Sequence, residues 1–279
     1  MTTAKVLLVG IDGVRFDILQ QARTPTLDRL AGSGCHHSMA IPEEGITVSG
    51  PMWSSILTGT WPTEHGVYDN STAPERRLPD VFTRLGRQGM LTRPIAVAAW
   101  QPIVAATGCG PLVDPTLVDC VPIDMPDESP ESYIAGDRTV LQIAQARLAD
   151  PAVDAAFVYF GEVDEVGHRD GVSDRYRAAI ERADSLLGEL LDHLDARTDR
   201  EDWTVIVTTD HGHVDGGGHG GTTLAERQVW VTSDRELGIV SPVDIAPAIY
   251  ELVSAGHHGN SCGHQAESTP DTVPARAHT

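Results

Sequence analysis

Carboxylate and imidazole side chains stand at the ends of three apolar, strand-like segments of this chain. The first segment ends in a carboxylate and the other two each end in a carboxylate with an imidazole: Asp12, Asp164 with His168, and Asp210 with His211. These donor atoms suit Zn²⁺ and borderline ions such as Mn²⁺. Because an α/β sheet binds ligands at the carboxyl ends of its strands, we expect these side chains to meet around divalent cations. A single Asp after a strand is more often a turn residue, so the prediction depends on their joint occurrence.

A glycine-dense loop supplies one more candidate ligand. His219 lies eight residues after His211, within GGHGG, where glycines allow the tight turns that a backbone makes beside an ion. The nearby His213 is expected to be a solvated side chain. Three acidic residues are close enough in the sequence to the predicted ligands to hydrogen-bond to them, but they are expected to be ordinary surface residues: Glu162, Glu165 and Asp215.

A hydroxyl group lies where a short buried helix is predicted to begin. The segment SGPMWSSILTG has Pro51 in its first turn and Gly59 beyond its end, so the helix is expected to open at Ser49, with that residue as its N-cap. Backbone N–H groups and the positive end of the helix dipole favour bound phosphate there. Coordination to a metal ion would lower the pKa of the hydroxyl and make it a nucleophile. Ser49 is therefore the candidate nucleophile, with Thr47 as its rival.

Alternating strand and helix patterns must position these side chains. Strands are predicted over KVLLVGI, TRPIAVAA, DAAFVYFG, WTVIVTT and QVWVT, and helices over TPTLDRLAGSG, LPDVFTRLGRQG, DRTVLQIAQARLAD and PVDIAPAIYELV. The clearest helix follows Ser173, where apolar residues recur at spacings of four and three: Tyr176, Ile180, Ala183, Leu187, Leu190 and Leu194. The alternation predicts an α/β fold with a mostly parallel central sheet and helices on both faces.

The length and the composition predict one large domain. Residues 1–254 form the expected domain, since 279 residues suit a single large α/β unit. Residues 100–136 are irregular and rich in proline, so we expect a loop-rich insertion or lid. Residues 255–279 are rich in His, Gly, Ser, Thr and Pro and are expected to be a disordered tail.

The charge of the chain excludes several partners. Its net charge is −20, with a pI near 4.8, so we expect no binding to nucleic-acid polymers or to anionic membranes. A small phosphorylated substrate remains compatible, because bound metal ions reverse the local charge. No apolar run approaches the length of a membrane span or a signal peptide, and a cytoplasmic protein is expected.

The segment ITVSGPMWSSILTGTWPTEHGVYDN resembles the nucleophile region of type I phosphodiesterases and nucleotide pyrophosphatases, within the alkaline phosphatase superfamily. GIDGVRFD, TPTLDRLA, DEVGH, TTDHG and DIAP are similar to superfamily segments in the same order, so the resemblance covers nearly the whole chain to about residue 254. Aligning the motif places the nucleophile at Ser49 rather than Thr47. It also places the phosphate-binding asparagine at Asn70.

The resemblance implies an alkaline-phosphatase-like fold with two zinc sites, and the donor types also allow manganese. One ion would be held by Asp12, Ser49, Asp210 and His211, and the other by Asp164, His168 and His219. Asn70 and the backbone N–H of Gly50 would hold the phosphoryl oxygens.

The chain departs from the family pattern at several positions. Serine replaces the usual threonine nucleophile, and the long insertion that larger members carry before the ligand matching His219 is absent from this sequence. That insertion helps to shape the nucleotide pocket. A sulfatase would need arginine where Trp53 stands, which argues against that chemistry.

These features predict a metal-dependent phosphodiesterase that acts on a small phosphodiester or nucleotide-type substrate through a phosphoseryl intermediate. A phosphomonoesterase or a phosphonate hydrolase on the same metals is the nearest alternative. A monoester dianion would favour an extra cationic group, and only Arg15 and Arg169 adjoin the motifs. Two further alternatives are a metal-binding protein that recognises phosphate without turnover and a mutase, although no sugar-binding cap domain is evident.

Overall fold

Seven strands form one mixed sheet within residues 4–261, the part of the chain that this computed structural model describes. They are β1 (Lys5–Ile11), β2 (Cys35–Ala40), β3 (Pro94–Ala98), β4 (Asp119–Pro122), β5 (Ala155–Phe160), β6 (Trp203–Thr208) and β7 (Gln228–Ser233). The strand order is β2-β7-β6-β1-β5-β3-β4. The five strands from β6 to β4 run parallel, whereas β7 is antiparallel to both β6 and β2.

The central strand β1 is buried on both faces. Its residues alternate between two hydrophobic cores, with Leu7 and Val9 in one and Val6 and Leu8 in the other. This explains the continuous apolar run, because a strand of a sheet covered on both sides needs apolar residues at every position.

Helices cover both faces of the sheet. They are α1 (Phe16–Leu19), α2 (Pro25–Ser33), α3 (Ser49–Thr58), α4 (Pro62–His65), α5 (Val81–Arg87), α6 (Pro130–Leu148), α7 (Glu162–Asp170), α8 (Asp174–Asp195), α9 (Leu224–Arg227) and α10 (Ile245–Ser261). Helices α6, α7 and α8 contribute to one core, and α3, α5 and α10 contribute to the other. The predicted fold class is confirmed.

The predicted apolar stripe on α8 is buried along its whole length. Its six residues are at most 2% exposed. Ser173 caps the helix, because its hydroxyl accepts a hydrogen bond from the N–H of Tyr176 at 3.3 Å. This helix therefore anchors α6 and α7 against the sheet.

Several element boundaries differ from the predicted ones. Helix α6 begins at Pro130, so the segment 100–136 contains the start of this helix as well as strand β4. Helix α10 continues to Ser261 and so includes the first residues, 255–261, of the predicted tail. The rest of that predicted tail, residues 262–279, lies outside the described residues. Across residues 4–261, no helix combines the length and the apolar character needed to cross a bilayer.

Candidate metal centre and nucleophile

The sheet order brings three acidic residues together. Strand β1 lies between β5 and β6, and all three strands run parallel. Asp12 directly follows β1, Asp210 lies just beyond β6, and Asp164 lies in the first turn of α7, which follows β5. The carboxyl ends of adjacent strands thus place the three carboxylates at one edge of the sheet.

The first ligand group consists of Asp12, Asp210 and His211, all fully buried. The Nε2 atom of His211 lies 3.5 Å from Asp12 Oδ1 and 3.2 Å from Asp210 Oδ2. Neither oxygen has a hydrogen-bond partner among the described residues. Because a buried polar oxygen without a partner is costly, these two oxygens and the imidazole nitrogen fit a divalent cation.

The other oxygen of Asp12 is held by two aromatic side chains. The indole Nε1–H of Trp53 donates to Oδ2 at 2.9 Å, and the hydroxyl of Tyr159 donates to the same oxygen at 2.5 Å. These bonds turn Oδ1 towards the ligand group. The residue found where a sulfatase would need arginine is therefore a buried donor to a candidate ligand.

The second ligand group consists of Asp164, His168 and His219. Asp164 and His168 are four residues apart on α7 and therefore share one face of the helix. The Nε2 atoms of His168 and His219 lie 3.0 Å apart, and Asp164 Oδ2 lies 3.4 Å from Nε2 of His168. His219 donates its Nδ1–H to the carbonyl oxygen of Thr47 at 2.8 Å, which leaves its Nε2 lone pair for a cation.

Burial, repulsion between the carboxylates and hydrogen bonds from histidines determine the pKa values of these groups. Burial, and then the charge of Asp164, raises the pKa of Asp12 to about 7. Burial and the charges of Asp12 and Asp164 raise the pKa of Asp210 well above its ordinary range. Burial also acts to raise the pKa of Asp164, but hydrogen bonds from His168 and His213 outweigh it and hold that pKa well below its ordinary range. Divalent cations would replace protons in such a cluster.

His213 is a buried hydrogen-bond donor, so the prediction of a solvated side chain is wrong. It is fully buried, and its Nδ1 accepts the backbone N–H of Gly218 at 3.1 Å. Its Nε2 must then carry the proton, which it donates to Asp164 Oδ1 at 2.9 Å. Gly167 makes room for the ring, because a Cβ there would lie 2.7 Å from it.

Ser49 lies beside the first ligand group. Helix α3 begins at Ser49, as predicted, although Val48 rather than Ser49 occupies the N-cap position. The Oγ atom of Ser49 lies 3.4 Å from Nε2 of His211. The rival hydroxyl of Thr47 instead donates to the carbonyl oxygen of Gly221 at 2.8 Å. This geometry favours Ser49 as the nucleophile.

Asn70 and Gly50 are bonded to each other next to Ser49. The backbone N–H of Gly50 donates to Asn70 Oδ1 at 2.7 Å. The amide nitrogen of Asn70 is then the donor left to face a substrate, because the oxygen is already engaged. A Cβ at position 50 would lie 2.7 Å from Cys109 Sγ, so glycine permits this close packing.

Comparison with known proteins identifies the family. Residues 6–233 match the family model described as type I phosphodiesterase / nucleotide pyrophosphatase, which is most of the chain. The chain belongs to this family. The resemblance stated from the sequence motifs is thereby confirmed.

Curated relatives match most of this chain at low identity, and a solved structure shares its fold. The chain is 26% identical over 228 residues to ectonucleotide pyrophosphatase/phosphodiesterase family member 7 of Rattus norvegicus, covering 75% of this chain and 49% of that protein. It is 28% identical over 216 residues to bis(5'-adenosyl)-triphosphatase ENPP4 of Bos taurus, covering 75% and 47%. The chain thus spans about half the length of these curated relatives. A solved 2-O GAG sulfatase, BT1596, shares the fold at a TM-score of 0.69 and 12% identity, covering 91% of this chain and 71% of that one.

This phosphodiesterase family member has a cavity of about 660 Å³ at the candidate site. Its walls include the candidate nucleophile and several ligands: Ser49, Asn70, Asp164, His168 and His219. Most of the remaining wall comes from residues 99–133, which overlap the predicted insertion. That this segment closes as a lid remains a prediction.

The three acidic residues expected at the surface have different environments in this family member. Glu162 is buried and pairs with Arg182, whose Nε donates to Oε1 at 2.8 Å, so the expectation is wrong for Glu162. This pair joins α7 to α8. Glu165 is partly buried and lines the cavity, whereas Asp215 is exposed and pairs with Arg15.

Proposed function

We propose that the protein is a metal-dependent phosphodiesterase that hydrolyses a small phosphodiester through a phosphoseryl intermediate. The observation that carries the proposal is the position of Ser49 Oγ beside the first ligand group, in the same cavity as the second group. Family membership supports hydrolysis of phosphoric esters as the reaction class.

The donor sets define which residues would hold the cations. Asp12, Asp210 and His211 would hold one, with Ser49 beside it, and Asp164, His168 and His219 would hold the other. Two such ions would lower the pKa of the nucleophilic hydroxyl and neutralise charge on the attacking and leaving oxygens. Mixed nitrogen and oxygen donors favour zinc, with manganese as the second choice.

The chain's own groups then define the two chemical steps. In the first, Ser49 Oγ forms a bond to phosphorus while the bond from phosphorus to one alcohol oxygen breaks, and that alcohol leaves with a proton. In the second, a water oxygen attacks phosphorus and the Ser49 Oγ–phosphorus bond breaks. The products are an alcohol and a phosphomonoester, and the serine hydroxyl is restored. The Asn70 amide N–H groups and the positive end of the α3 dipole would stabilise the non-bridging oxygens, whereas the backbone N–H of Gly50, which was predicted to bind them, donates to Asn70 Oδ1 instead.

The cavity wall favours a diester over a monoester. Among the described residues that line it, none is Arg or Lys. A monoester dianion carries one more negative charge than a diester and would meet no side-chain cation there. The relative named as a bis(5'-adenosyl)-triphosphatase makes nucleotide-type esters one substrate class to test. We expect a small phosphorylated substrate and a cytoplasmic location.

Paired substrates and serine variants test this proposal. The zinc- or manganese-loaded protein should hydrolyse bis(p-nitrophenyl) phosphate with a higher kcat/KM than p-nitrophenyl phosphate. Ser49→Ala should lower kcat by about 10³-fold or more, because it removes the nucleophile. Ser54→Ala is the matched control on the same helix, since its buried hydroxyl has no hydrogen-bond partner among the described residues.

Three outcomes would reject parts of the proposal. A preference for the monoester would reject the diesterase, and activity that survives Ser49→Ala would reject the nucleophile. No turnover of either ester by the metal-loaded protein would indicate phosphate recognition without catalysis.

A further inference from the structure

Glycines dominate the loop that carries the candidate ligand His219. Gly217, Gly218 and Gly220 have φ angles of +89°, +87° and +101°, a region that residues with a Cβ rarely adopt. Such a loop loses much conformational freedom when it becomes ordered, and it has few side chains of its own to hold it. The imidazole of His219 therefore needs contacts from outside the loop if it is to stay beside the rest of the second ligand group.

Glu226 holds this loop at both of its ends. Its backbone carbonyl oxygen accepts the N–H of Gly212 at 3.0 Å, where the loop begins. Its side-chain Oε1 accepts the N–H of Gly221 at 2.7 Å, two residues after His219. Because both ends of the segment 212–221 bond to one residue, their separation is fixed and the loop between them has fewer conformations.

The carboxylate of Glu226 is buried, and each of its oxygens accepts hydrogen bonds from the loop or from the start of α9. Its Oε2 accepts the backbone N–H of Thr223 at 3.1 Å and the hydroxyl of the same residue at 2.6 Å. A Cβ at Gly221 would lie 2.8 Å from both carboxylate oxygens, so glycine permits the contact there. Because a buried carboxylate is costly unless it is hydrogen-bonded, these bonds hold the loop and α9 together.

Thr47 contacts the same loop from the other side. Its carbonyl oxygen accepts the Nδ1–H of His219 at 2.8 Å, and its hydroxyl donates to the carbonyl oxygen of Gly221 at 2.8 Å. The residue is buried, so neither bond competes with bulk water. Gly221 is thus held at its N–H by Glu226 and at its carbonyl oxygen by Thr47.

We propose that Thr47 and Glu226 are positioning residues that hold His219 in place for the second cation. The inference rests on the proposed function, because it concerns the same metal centre, and it adds two residues that are not ligands themselves. A loop that is ordered before the cation arrives does not lose that freedom on binding, so its affinity for the cation is higher. Thr47 lies two residues before Ser49, so the segment that holds His219 also carries the candidate nucleophile.

Zinc affinity, measured by competitive chelator titration of the metal-free protein, tests this role. Thr47→Val is nearly isosteric and removes only the hydroxyl, so it should release Gly221 and weaken zinc binding about tenfold. Glu226→Gln, which puts an amide N–H₂ group where Thr223 donates, should weaken it similarly, and Thr47→Ser should recover most of the loss. Thr204→Val is the matched control, because Thr204 is equally buried and its hydroxyl has no hydrogen-bond partner among the described residues.

A second background separates positioning from a general loss of stability. In His219→Ala the ligand is gone, so Thr47→Val and Glu226→Gln should cause no further loss of zinc affinity. Equal zinc affinity in the wild type and Thr47→Val, an equal loss in Thr204→Val, or losses that persist in His219→Ala would each overturn the inference.

The titration needs no turnover, so it also separates this inference from the proposed function. If the wild type hydrolyses bis(p-nitrophenyl) phosphate but Thr47→Val binds zinc as tightly, only the inference fails. If the wild type binds zinc but hydrolyses no ester, the proposed function fails and the affinities of the variants still decide the inference. A wild type that binds no zinc would overturn both.

Discussion

At the scale of single residues, backbone hydrogen bonds fix which histidine nitrogen faces the cluster. His219 gives its Nδ1–H to Thr47, and His211 Nδ1 lies 3.2 Å from the carbonyl oxygen of Gly212, so both Nε2 atoms are available as ligands. His213 has the opposite arrangement, because its Nδ1 accepts an N–H and its Nε2–H points to Asp164. His213 therefore orients a candidate ligand rather than acting as one.

We expect His213→Ala to weaken metal binding at the second group. Asp164 would lose the donor that fixes its Oδ1, and loss of such a partner costs about 10- to 100-fold in metal affinity. His213→Gln restores a donor and should recover much of the loss. A competitive chelator titration measures the affinity of both variants, and equal zinc affinity in the wild type and His213→Ala would contradict this role.

Sequence reasoning located the candidate ligands but not their support. Asp12, Asp164 and Asp210 could be placed together because each follows a recognisable strand and parallel strands share an edge. The burial of His213 could not be predicted from the sequence. It depends on the space that Gly167 leaves by having no Cβ and on the hydrogen bond from the N–H of Gly218. Only its place in the pattern D-H-G-H was visible in the sequence.

At the scale of elements, a glycine lets α3 pack directly on β1. The Trp53 indole lies against Gly10, and a Cβ at that position would clash with its ring. Because the same indole holds Asp12, the contact couples helix packing to the orientation of a candidate ligand.

Gly10→Ala should therefore destabilise the protein and disturb the first ligand group. Overpacking of a tight core costs about 1–3 kcal/mol, which urea unfolding would measure. Gly32→Ala on α2 is the matched control, since a Cβ there meets nothing within 4 Å and a helical alanine is favoured over glycine. Equal stability of Gly10→Ala and the wild type would show that the indole can move without cost.

The start of α7 depends on a buried acid. Asp137 accepts the backbone N–H groups of Gly161 and Glu162 at 3.0 and 2.9 Å and so caps the helix that carries Asp164 and His168. Burial is the main cause that raises the pKa of Asp137 from 3.8 to about 8. The folded state therefore retains a proton that the unfolded chain releases above pH 3.8.

This raised pKa predicts that the difference in stability between the wild type and Asp137→Asn depends on pH. The stability that Asp137 contributes in its protonated form is complete below pH 3.8 and is lost as the pH rises towards 8. The free energy of unfolding of the wild type should thus fall, relative to Asp137→Asn, between pH 5 and pH 8. Urea titrations of both proteins measure the difference, and parallel curves would contradict the raised pKa.

Strands β2 and β4 and helix α7 were not predicted from the sequence because their apolar patterns are short or interrupted. Strands β2 and β4 form the two edges of the sheet and carry polar residues or proline, so neither has the continuous apolar pattern of β1. Helix α7 has three acidic residues in its first turn and only two apolar side chains, Val163 and Val166, that pack into the core. The four-residue spacing of Asp164 and His168 was the available signal for a helix there.

At the scale of the whole molecule, the chain is strongly acidic, and several of its carboxylates lie together at the candidate metal centre. The net charge is −20, and three carboxylates, of which Asp12 and Asp210 are fully buried and Asp164 is half-buried, contribute to the two ligand groups. Cations bound there would relieve the repulsion only in the folded state, so metal binding is linked to stability.

Removal of metal should lower the thermal midpoint of the protein. Zinc at about 100 times its dissociation constant stabilises the folded state by about 2.7 kcal/mol. For a domain of this size that corresponds to a Tm shift of about 5 °C or more. Calorimetry before and after chelation measures the shift, with Asp12→Asn expected to show a smaller one. An unchanged Tm would argue against cations at this centre.

The most direct test of the two-metal centre is anomalous diffraction at the zinc edge from crystals of the zinc-loaded protein. The two-metal hypothesis predicts two peaks about 4 Å apart, as in other two-metal sites. One should lie within bonding distance of Asp12, Asp210 and His211, and the other of Asp164, His168 and His219. No peak at these residues, or a single peak elsewhere on the chain, would contradict it.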